Sequence, residues 1–129
     1  NMKNFFEIDI ETRLILTSRT IFQFVDGYAI RSKSWHKNGQ KLSEGNYKEW
    51  KKDGLWTRWY ENGQKKEETS YKENKLMNAK VWLPNGKECP DSKVIDGKGT
   101  LVNYSLEGKE IRKFNFKDGE MDFTSSKAR

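Results

Sequence analysis

The sequence predicts an all-β protein, an elongated and twisted antiparallel sheet of tandem β-hairpins that is mostly a single layer thick. Three observations predict this fold. Turn residues recur about every eleven positions, aromatic residues recur at fixed offsets from those turns, and no stretch has the three-four apolar spacing of a helix. Hydrophobic residues make up only 33% of the chain against 34% charged residues, which disfavours two packed layers.

The repeat is counted from four turn glycines, Gly39, Gly63, Gly86 and Gly108. Four residues before them stand Trp35, Trp59, Trp82 and Tyr104, and eight residues after them stand Tyr47, Tyr71, Val94 and Phe116. A second turn position follows eleven residues after each glycine, at Trp50, Asn74, Gly97 and Gly119. Asp26-Gly27 is an earlier turn of the second kind. Such a period indicates a repeat array.

Turn chemistry predicts how the aromatic rings are arranged. Pro84-Asn85-Gly86 fits a three-residue loop in which a type I turn is followed by a left-handed glycine. If all four loops share this form, the aromatic residues before and after each turn fall on the same side of the sheet. We therefore expect a continuous stripe on one face, made of Trp35, Tyr47, Trp59, Tyr71, Trp82, Tyr104 and Phe116.

The ends of the chain differ from the repeats. Residues 5–10, 13–17 and 20–25 are rich in apolar and β-branched residues and predict strands. We expect residues 1–25 to form an N-terminal β extension that caps the array, residues 26–123 to form the repeats and residues 124–129 to form a tail.

Two repeats depart from the pattern. Trp50 occupies a position that favours a left-handed residue, so we expect the loop at residues 48–52 to be re-formed, with Asp53-Gly54 as an alternative turn. Asn74 tolerates the left-handed conformation. Pro90 has no backbone N–H to donate, which predicts an edge or a bulge in its strand.

The stretch Trp59-Tyr60-Glu61-Asn62-Gly63-Gln64-Lys65-Lys66, followed by Tyr71-Lys72-Glu73-Asn74, resembles the bacterial MORN-repeat variant family. The resemblance covers roughly residues 35–123. It implies tandem β-hairpins in an elongated sheet and a role in binding proteins or membranes. Many members are described as antitoxins of toxin-antitoxin systems, so the resemblance also implies a toxin as one candidate partner.

Residues with chemical potential give no catalytic pattern. His36 is the single histidine and Cys89 the single cysteine, and they lie in different repeats without a nucleophile motif or further metal ligands. The glycines are spaced by turns and form no phosphate loop. We therefore predict no enzyme activity, no cofactor and no metal site.

The predicted function is non-catalytic protein binding through a basic and aromatic surface. The candidate binding residues are Trp50, Lys51, Lys52, Trp56 and Arg58, because both tryptophans fall outside the aromatic offsets and an exposed ring favours a partner. The net charge of +6 leaves attachment to anionic lipid or nucleic acid as the alternative. Open sheet edges favour an edge-to-edge homodimer. The compartment stays open between cytoplasmic and exported, since Asn1 precedes Met2 and a leader peptide is compatible with that start.

Overall fold

The computed structural model describes residues 13–15 and 19–123, which form one open antiparallel sheet of eleven strands in sequence order. The strands are β1 (Arg13–Ile15), β2 (Thr20–Val25), β3 (Tyr28–Trp35), β4 (Lys41–Lys48), β5 (Lys51–Trp59), β6 (Lys65–Lys72), β7 (Lys75–Trp82), β8 (Glu88–Ile95), β9 (Lys98–Tyr104), β10 (Glu110–Lys117) and β11 (Glu120–Met121). This architecture confirms the predicted fold class. Within the described residues, no helix is long and apolar enough to span a membrane.

Four of the connections are three-residue loops that end in a left-handed glycine. In the first, the Gly39 N–H donates to the His36 carbonyl over 2.9 Å, and the His36 N–H donates to the Gln40 carbonyl over 2.8 Å. The same two hydrogen bonds close the loops that end at Gly63, Gly86 and Gly108. Each of these glycines has φ between 83° and 91°. The predicted loop form is therefore confirmed, and we call these connections the glycine loops.

Five further connections are two-residue turns with positive φ at both residues, as type I′ turns require. They are Asp26-Gly27, Glu49-Trp50, Glu73-Asn74, Asp96-Gly97 and Asp118-Gly119. Glu49 and Trp50 have φ of 51° and 68°, and Lys48 pairs directly with Lys51 across the turn. The expectation that this loop is re-formed was wrong. Asp53 and Gly54 lie within β5 instead of forming a turn.

A register shift follows each glycine loop. Trp59 pairs with Lys65 and Arg58 pairs with Glu67, which leaves Lys66 as an extra residue on β6. The hairpins β3–β4 and β9–β10 also have one extra residue each, and β7–β8 has a larger shift with three extra residues on β8. An extra residue bulges from the ladder and reverses which face the following side chains occupy.

The bulges overturn the prediction of a single aromatic face. Trp56, Thr57, Arg58 and Trp59 keep an unbroken alternation on β5, so Trp59 lies opposite to Trp56. Tyr47 contacts Trp56, and Lys52 lies over both Trp56 and Tyr71. We call the side with Tyr47, Trp56 and Tyr71 the tyrosine face.

The opposite side, which we call the tryptophan face, carries the aromatic residues that precede the glycine loops. Trp35 follows Ser34, whose hydroxyl bonds Ser43 on the tyrosine face, so the Trp35 ring points the other way. The ammonium groups of Lys41 and Lys65 lie over the Trp59 and Trp82 rings. The predicted stripe is therefore wrong for Trp35, Trp59 and Trp82, because the prediction left out the bulge after each loop.

Neighbouring repeats are also joined through their turns. The Asn38 side chain donates to the Glu61 carbonyl of the next glycine loop, and Asn62 donates to the Pro84 carbonyl one repeat further. His36 Nε2 lies 2.8 Å from the Trp59 carbonyl, and the Tyr60 hydroxyl donates to the Trp82 carbonyl. These bonds recur at the repeat period, so each loop fixes the position of the next.

The core is small. Leu76, Ala79 and Val94 are buried together, with Tyr71, Leu101 and Phe116 packed against them.

At the two-residue turns the backbone approaches so closely that a Cβ on Gly97 would lie 2.7 Å from the Gly119 nitrogen. The Gly119 N–H donates to the Gly97 carbonyl over 3.0 Å. Glycine at these two turns therefore permits direct contact between repeats.

Two further predictions can be compared with the described residues. The predicted irregularity at Pro90 is confirmed. Trp82 pairs with Glu88 and the next pair is Lys80 with Lys93, so the unpaired part of β8 that contains Pro90 is longer than the facing part of β7. Strand β2 covers the predicted strand at residues 20–25, and β1 covers part of residues 13–17. Residues 1–12, 16–18 and 124–129 lie outside the described part, and the division into cap, repeats and tail stays a prediction.

Trp56 depends on the absence of a side chain at Gly45. The two residues are direct cross-strand partners, and a Cβ on Gly45 would lie 2.0 Å from Cδ2 of the indole. The indole N–H donates to the Asn46 carbonyl over 2.9 Å, which holds the ring in place over the glycine.

We predict that Gly45→Ala lowers the free energy of unfolding by about 1–3 kcal/mol, because the indole must leave its position over β4. Urea denaturation measures the loss. In a Trp56→Leu background the same alanine substitution should cost less than half as much. An equal cost in both backgrounds would show that the Gly45 effect does not come from this ring.

Candidate functional site

The five candidate binding residues lie at one two-residue turn and along the strand that follows it. Trp50 is in the turn, Lys51 and Lys52 begin β5, and Trp56 and Arg58 follow on the same strand. The structure gives them different environments. Trp50, Lys51 and Arg58 are exposed, Lys52 is half-buried and Trp56 is buried.

Trp50 is the most unusual of these residues. Its side chain is 55% exposed although its backbone adopts φ of 68°, the left-handed region that costs a non-glycine residue about 1–2 kcal/mol. Glycine occupies the equivalent position in three of the other two-residue turns and asparagine in the fourth. Neither the exposure nor the backbone conformation of this tryptophan favours folding.

The Trp50 ring belongs to an aromatic cluster at the turn. It meets the Phe24 ring edge-on with centroids 5.8 Å apart, and the Tyr28 ring at 6.3 Å. Tyr28 is 53% exposed, and its cross-strand partner Val25 is exposed as well. We call Phe24, Val25, Tyr28 and Trp50 the Trp50 patch.

The Trp50 patch is the exposed end of a longer row of rings on the tyrosine face. Phe24 contacts Phe22 with centroids 6.5 Å apart, Phe22 contacts Tyr47 at 6.3 Å, and Tyr47 contacts Trp56 at 5.1 Å. Aromatic pairs at such separations add about 0.5–1.5 kcal/mol each beyond their buried area. The row gives the patch a rigid support.

Trp56 is the inner member of this row. It is only 7% exposed and its indole N–H is already hydrogen-bonded to Asn46. The expectation that its ring is exposed for a partner was wrong, because Gly45 leaves space for the ring within the sheet. Trp56 supports the row structurally, while the other four candidate residues stay a predicted binding surface.

Three cations on the tyrosine face share one carboxylate. Arg58 lies 3.9 Å from Glu67, its direct partner across the strands. Lys52 lies 4.7 Å from the Trp56 ring centroid and 5.0 Å from that of Tyr71, and Lys66 lies 5.2 Å from that of Tyr60. The rings substitute in part for missing counter-ions through cation–π attraction.

The pKa values of this cluster are shifted. Burial lowers the pKa of Lys52 against the opposing effect of Glu67, and burial together with Arg58 lowers the pKa of Lys66. Burial, assisted by Glu67, raises the pKa of Tyr71 and raises that of Tyr60 to about 12. Shifted lysines beside aromatic rings are typical of binding sites, though ion-pair networks produce them too.

The residues with catalytic potential each have a structural partner. His36 bonds the Trp59 carbonyl, and Cys89 is buried with its sulfur 2.9 Å from the Tyr104 hydroxyl. The hydrogen bond with Cys89 raises the pKa of Tyr104. Among residues 13–15 and 19–123, no group of three or more His, Cys, Asp or Glu side chains could hold a metal ion.

Sequence reasoning missed Tyr28, Phe24 and Lys66. Val25-Asp26-Gly27-Tyr28 carries a signal for Tyr28, since an Asp-Gly turn pairs it with Val25. The contact of that turn with Trp50 joins two different hairpins and has no local signal. The position of Lys66 has no local sequence signal either, because the direction of its side chain depends on the bulge after the glycine loop.

Comparison with known protein families agrees with the hairpin geometry. Two stretches, residues 31–49 and 52–73, match a family description. The family is described as MORN repeat variant. The two matches cover strands β3 to β6 together with the glycine loops at Gly39 and Gly63. No curated protein and no solved structure gives a significant match.

MORN repeats are in general non-catalytic scaffolds that bind proteins or membranes. In this chain the matched residues include Tyr47, Trp56 and Tyr71 of the tyrosine face, together with the cations Lys52, Arg58 and Lys66. Trp50 lies one residue beyond the first match. The rings that Trp50 contacts, Phe24 and Tyr28, lie before the first residue of that match. The Trp50 patch is therefore a feature added to the matched repeats.

The buried hydroxyl of Tyr60 gives a prediction about alkaline stability. An unfolded tyrosine ionises near pH 10, whereas folded Tyr60 stays neutral to about pH 12. The Tyr60 contribution is therefore complete below pH 10 and is lost as the pH rises towards 12. We expect Tyr60→Phe to cost about 1 kcal/mol at pH 8, from the hydrogen bond to Trp82.

The difference in unfolding free energy between the natural chain and Tyr60→Phe should shrink between pH 10 and 12. Denaturation at several pH values measures it, and taking the difference cancels the other tyrosines. A difference that stays constant across this range would show that the pKa of Tyr60 is not raised.

Proposed function

We propose that this chain is a non-catalytic scaffold that binds another protein through the Trp50 patch. One observation carries the proposal. A large aromatic side chain is held 55% exposed on a left-handed backbone position at which the other repeats have glycine or asparagine. Exposed tryptophan and tyrosine on a rigid support are the residues that contribute most to protein–protein affinity.

The chemistry of the patch indicates the kind of surface it fits. Trp50 and Tyr28 offer an apolar anchor for a pocket, while Lys48 and Lys51 border the turn with positive charge. A partner with an apolar depression and an acidic border matches both. The lysines would raise the association rate and the buried rings would slow dissociation.

A toxin is the specific partner that the resemblance to antitoxins suggests. A scaffold of this kind would neutralise it by covering its active surface, without any chemical step. The proposal rests on the Trp50 patch and does not depend on this identity.

Attachment to anionic lipid or nucleic acid is the competing function. Part of the positive charge is compensated internally, since Lys33, Lys41, Arg58, Lys65 and Lys113 each have a glutamate within 4.0 Å. Interspersed pairs of this kind disfavour a continuous phosphate-binding surface. This distribution supports a protein partner over a polyanion.

We predict that Trp50→Gly abolishes capture of the partner while leaving the fold intact. Glycine relieves the left-handed backbone and so offsets the lost ring contacts, and we expect unfolding free energy to change by less than about 1 kcal/mol. The measurement is a quantitative pull-down from a lysate of the source organism, with thermal denaturation of each variant.

Two variants serve as controls. Trp50→Phe keeps a ring and should retain much of the capture, and Glu73→Gly alters a left-handed residue in the next two-residue turn and should retain all of it. A partner still captured by Trp50→Gly would exclude this patch. Capture that disappears for all variants between low and physiological salt would favour electrostatic attachment instead.

A further inference from the structure

A groove on the tryptophan face is separate from the surface proposed above. It crosses strands β5 to β8 and has a volume of about 350 Å³. The side chains that shape it are Leu55, Ser70, Asn78, Lys80, Lys93 and Ile95. We call it the Leu55–Ile95 groove.

The two ends of the groove are exposed aliphatic side chains. Leu55 on β5 and Ile95 on β8 are each 58% exposed, although both strands have buried positions available on the other face. Three strand spacings separate them, a span of roughly 14 Å. An aliphatic chain lying across the strands would cover both ends at once.

The floor between these ends has internal hydrogen bonds. Asn78 Nδ2 donates to the Ser70 hydroxyl over 3.3 Å, and the Asp96 N–H donates to Asn78 Oδ1 over 3.3 Å. These two bonds fix the Asn78 amide in the groove. An aliphatic chain that passes between Leu55 and Ile95 can leave both bonds intact.

One side of the groove carries two like charges. Lys80 and Lys93 are direct cross-strand partners, an arrangement that is destabilising by itself. Glu68 lies opposite Lys80 on the next strand, but its carboxylate is 2.5 Å from Lys65. In the described part of the chain, neither Lys80 nor Lys93 forms an ion pair, so the two ammonium groups share no counter-ion.

We propose that the Leu55–Ile95 groove binds an aliphatic carboxylate, with its head between Lys80 and Lys93 and its chain along Leu55 and Ile95. A single carboxylate shared by both ammonium groups relieves their repulsion, and Glu68 in the same groove disfavours a more highly charged head. The groove volume lies in the range of small-molecule sites. This site requires neither the Trp50 patch nor its partner.

Octanoate is a suitable probe, because it combines one carboxylate with a chain close to the span of the groove. Calorimetric titration of the full chain should give saturable one-to-one binding with a dissociation constant on the order of 1 mM, typical for a ligand of this size. Acetate has only the head and 1-octanol only the chain, so both should bind at least tenfold more weakly.

Variants locate the site. Lys80→Gln/Lys93→Gln and Leu55→Ser/Ile95→Thr should each weaken octanoate binding at least tenfold. Lys72→Gln/Lys75→Gln removes another directly opposed lysine pair, at the end of its hairpin, and should leave binding within twofold. The thermal midpoint of Lys80→Gln/Lys93→Gln should not fall, since the removed charges repel each other.

Several results would overturn the site. The first is binding of 1-octanol as tight as that of octanoate. The second is an equal loss of octanoate affinity in both lysine double variants, and the third is an octanoate titration that does not saturate. Absence of octanoate binding together with phosphatidylglycerol vesicle adsorption lost in Lys80→Gln/Lys93→Gln would assign these lysines to a membrane surface. A dimer in sedimentation velocity that dissociates in Leu55→Ser/Ile95→Thr would assign the groove to a second copy of the chain.

Discussion

The bulge that follows each glycine loop is the constraint on which the arrangement of side chains depends. Without it, the rings before and after a loop would share one face. One extra residue per hairpin instead divides the rings between both faces. Both surfaces of a thin sheet are thereby covered by aromatic rings and the lysines above them. A chain with so few apolar residues can then fold without a second layer.

The aromatic rings on the two faces have different partners for the same reason. On the tyrosine face they contact one another in a row and reach the core around Leu76 and Val94. On the tryptophan face they lie singly beneath lysines, of which Lys41 and Lys65 also pair with glutamates on the same strand. The first face offers a continuous rigid support, and the second offers separate depressions between charged side chains. The proposed protein-binding anchor lies on the first face, and the proposed carboxylate groove lies on the second.

The features that the sequence predicted are those encoded by local turn chemistry. Fold class, turn positions, loop form and the irregularity at Pro90 all follow from glycine, asparagine and proline at particular places, and the structure confirms them. The faces of Trp35, Trp59 and Trp82 were predicted wrongly because a bulge has no residue signature comparable to a turn glycine. The extra residues Lys66 and Ile111 have little in common. Burial of Trp56 depends on Gly45 in another strand, a pairing visible only once the register is known.

Trp50 shows how a residue that violates a local preference can still be informative. The sequence correctly marked its position as unfavourable for a bulky side chain, but the conclusion that the loop would change was wrong. The turn keeps the same form as the other two-residue turns because strands β4 and β5 pair up to Lys48 and Lys51. This pairing leaves only Glu49 and Trp50 to connect the strands. Ring contacts with Phe24 and Tyr28 compensate part of the backbone cost but leave half the indole exposed. Glycine would satisfy the turn without that cost, so the exposed part of the ring is the observation that supports the proposed partner surface.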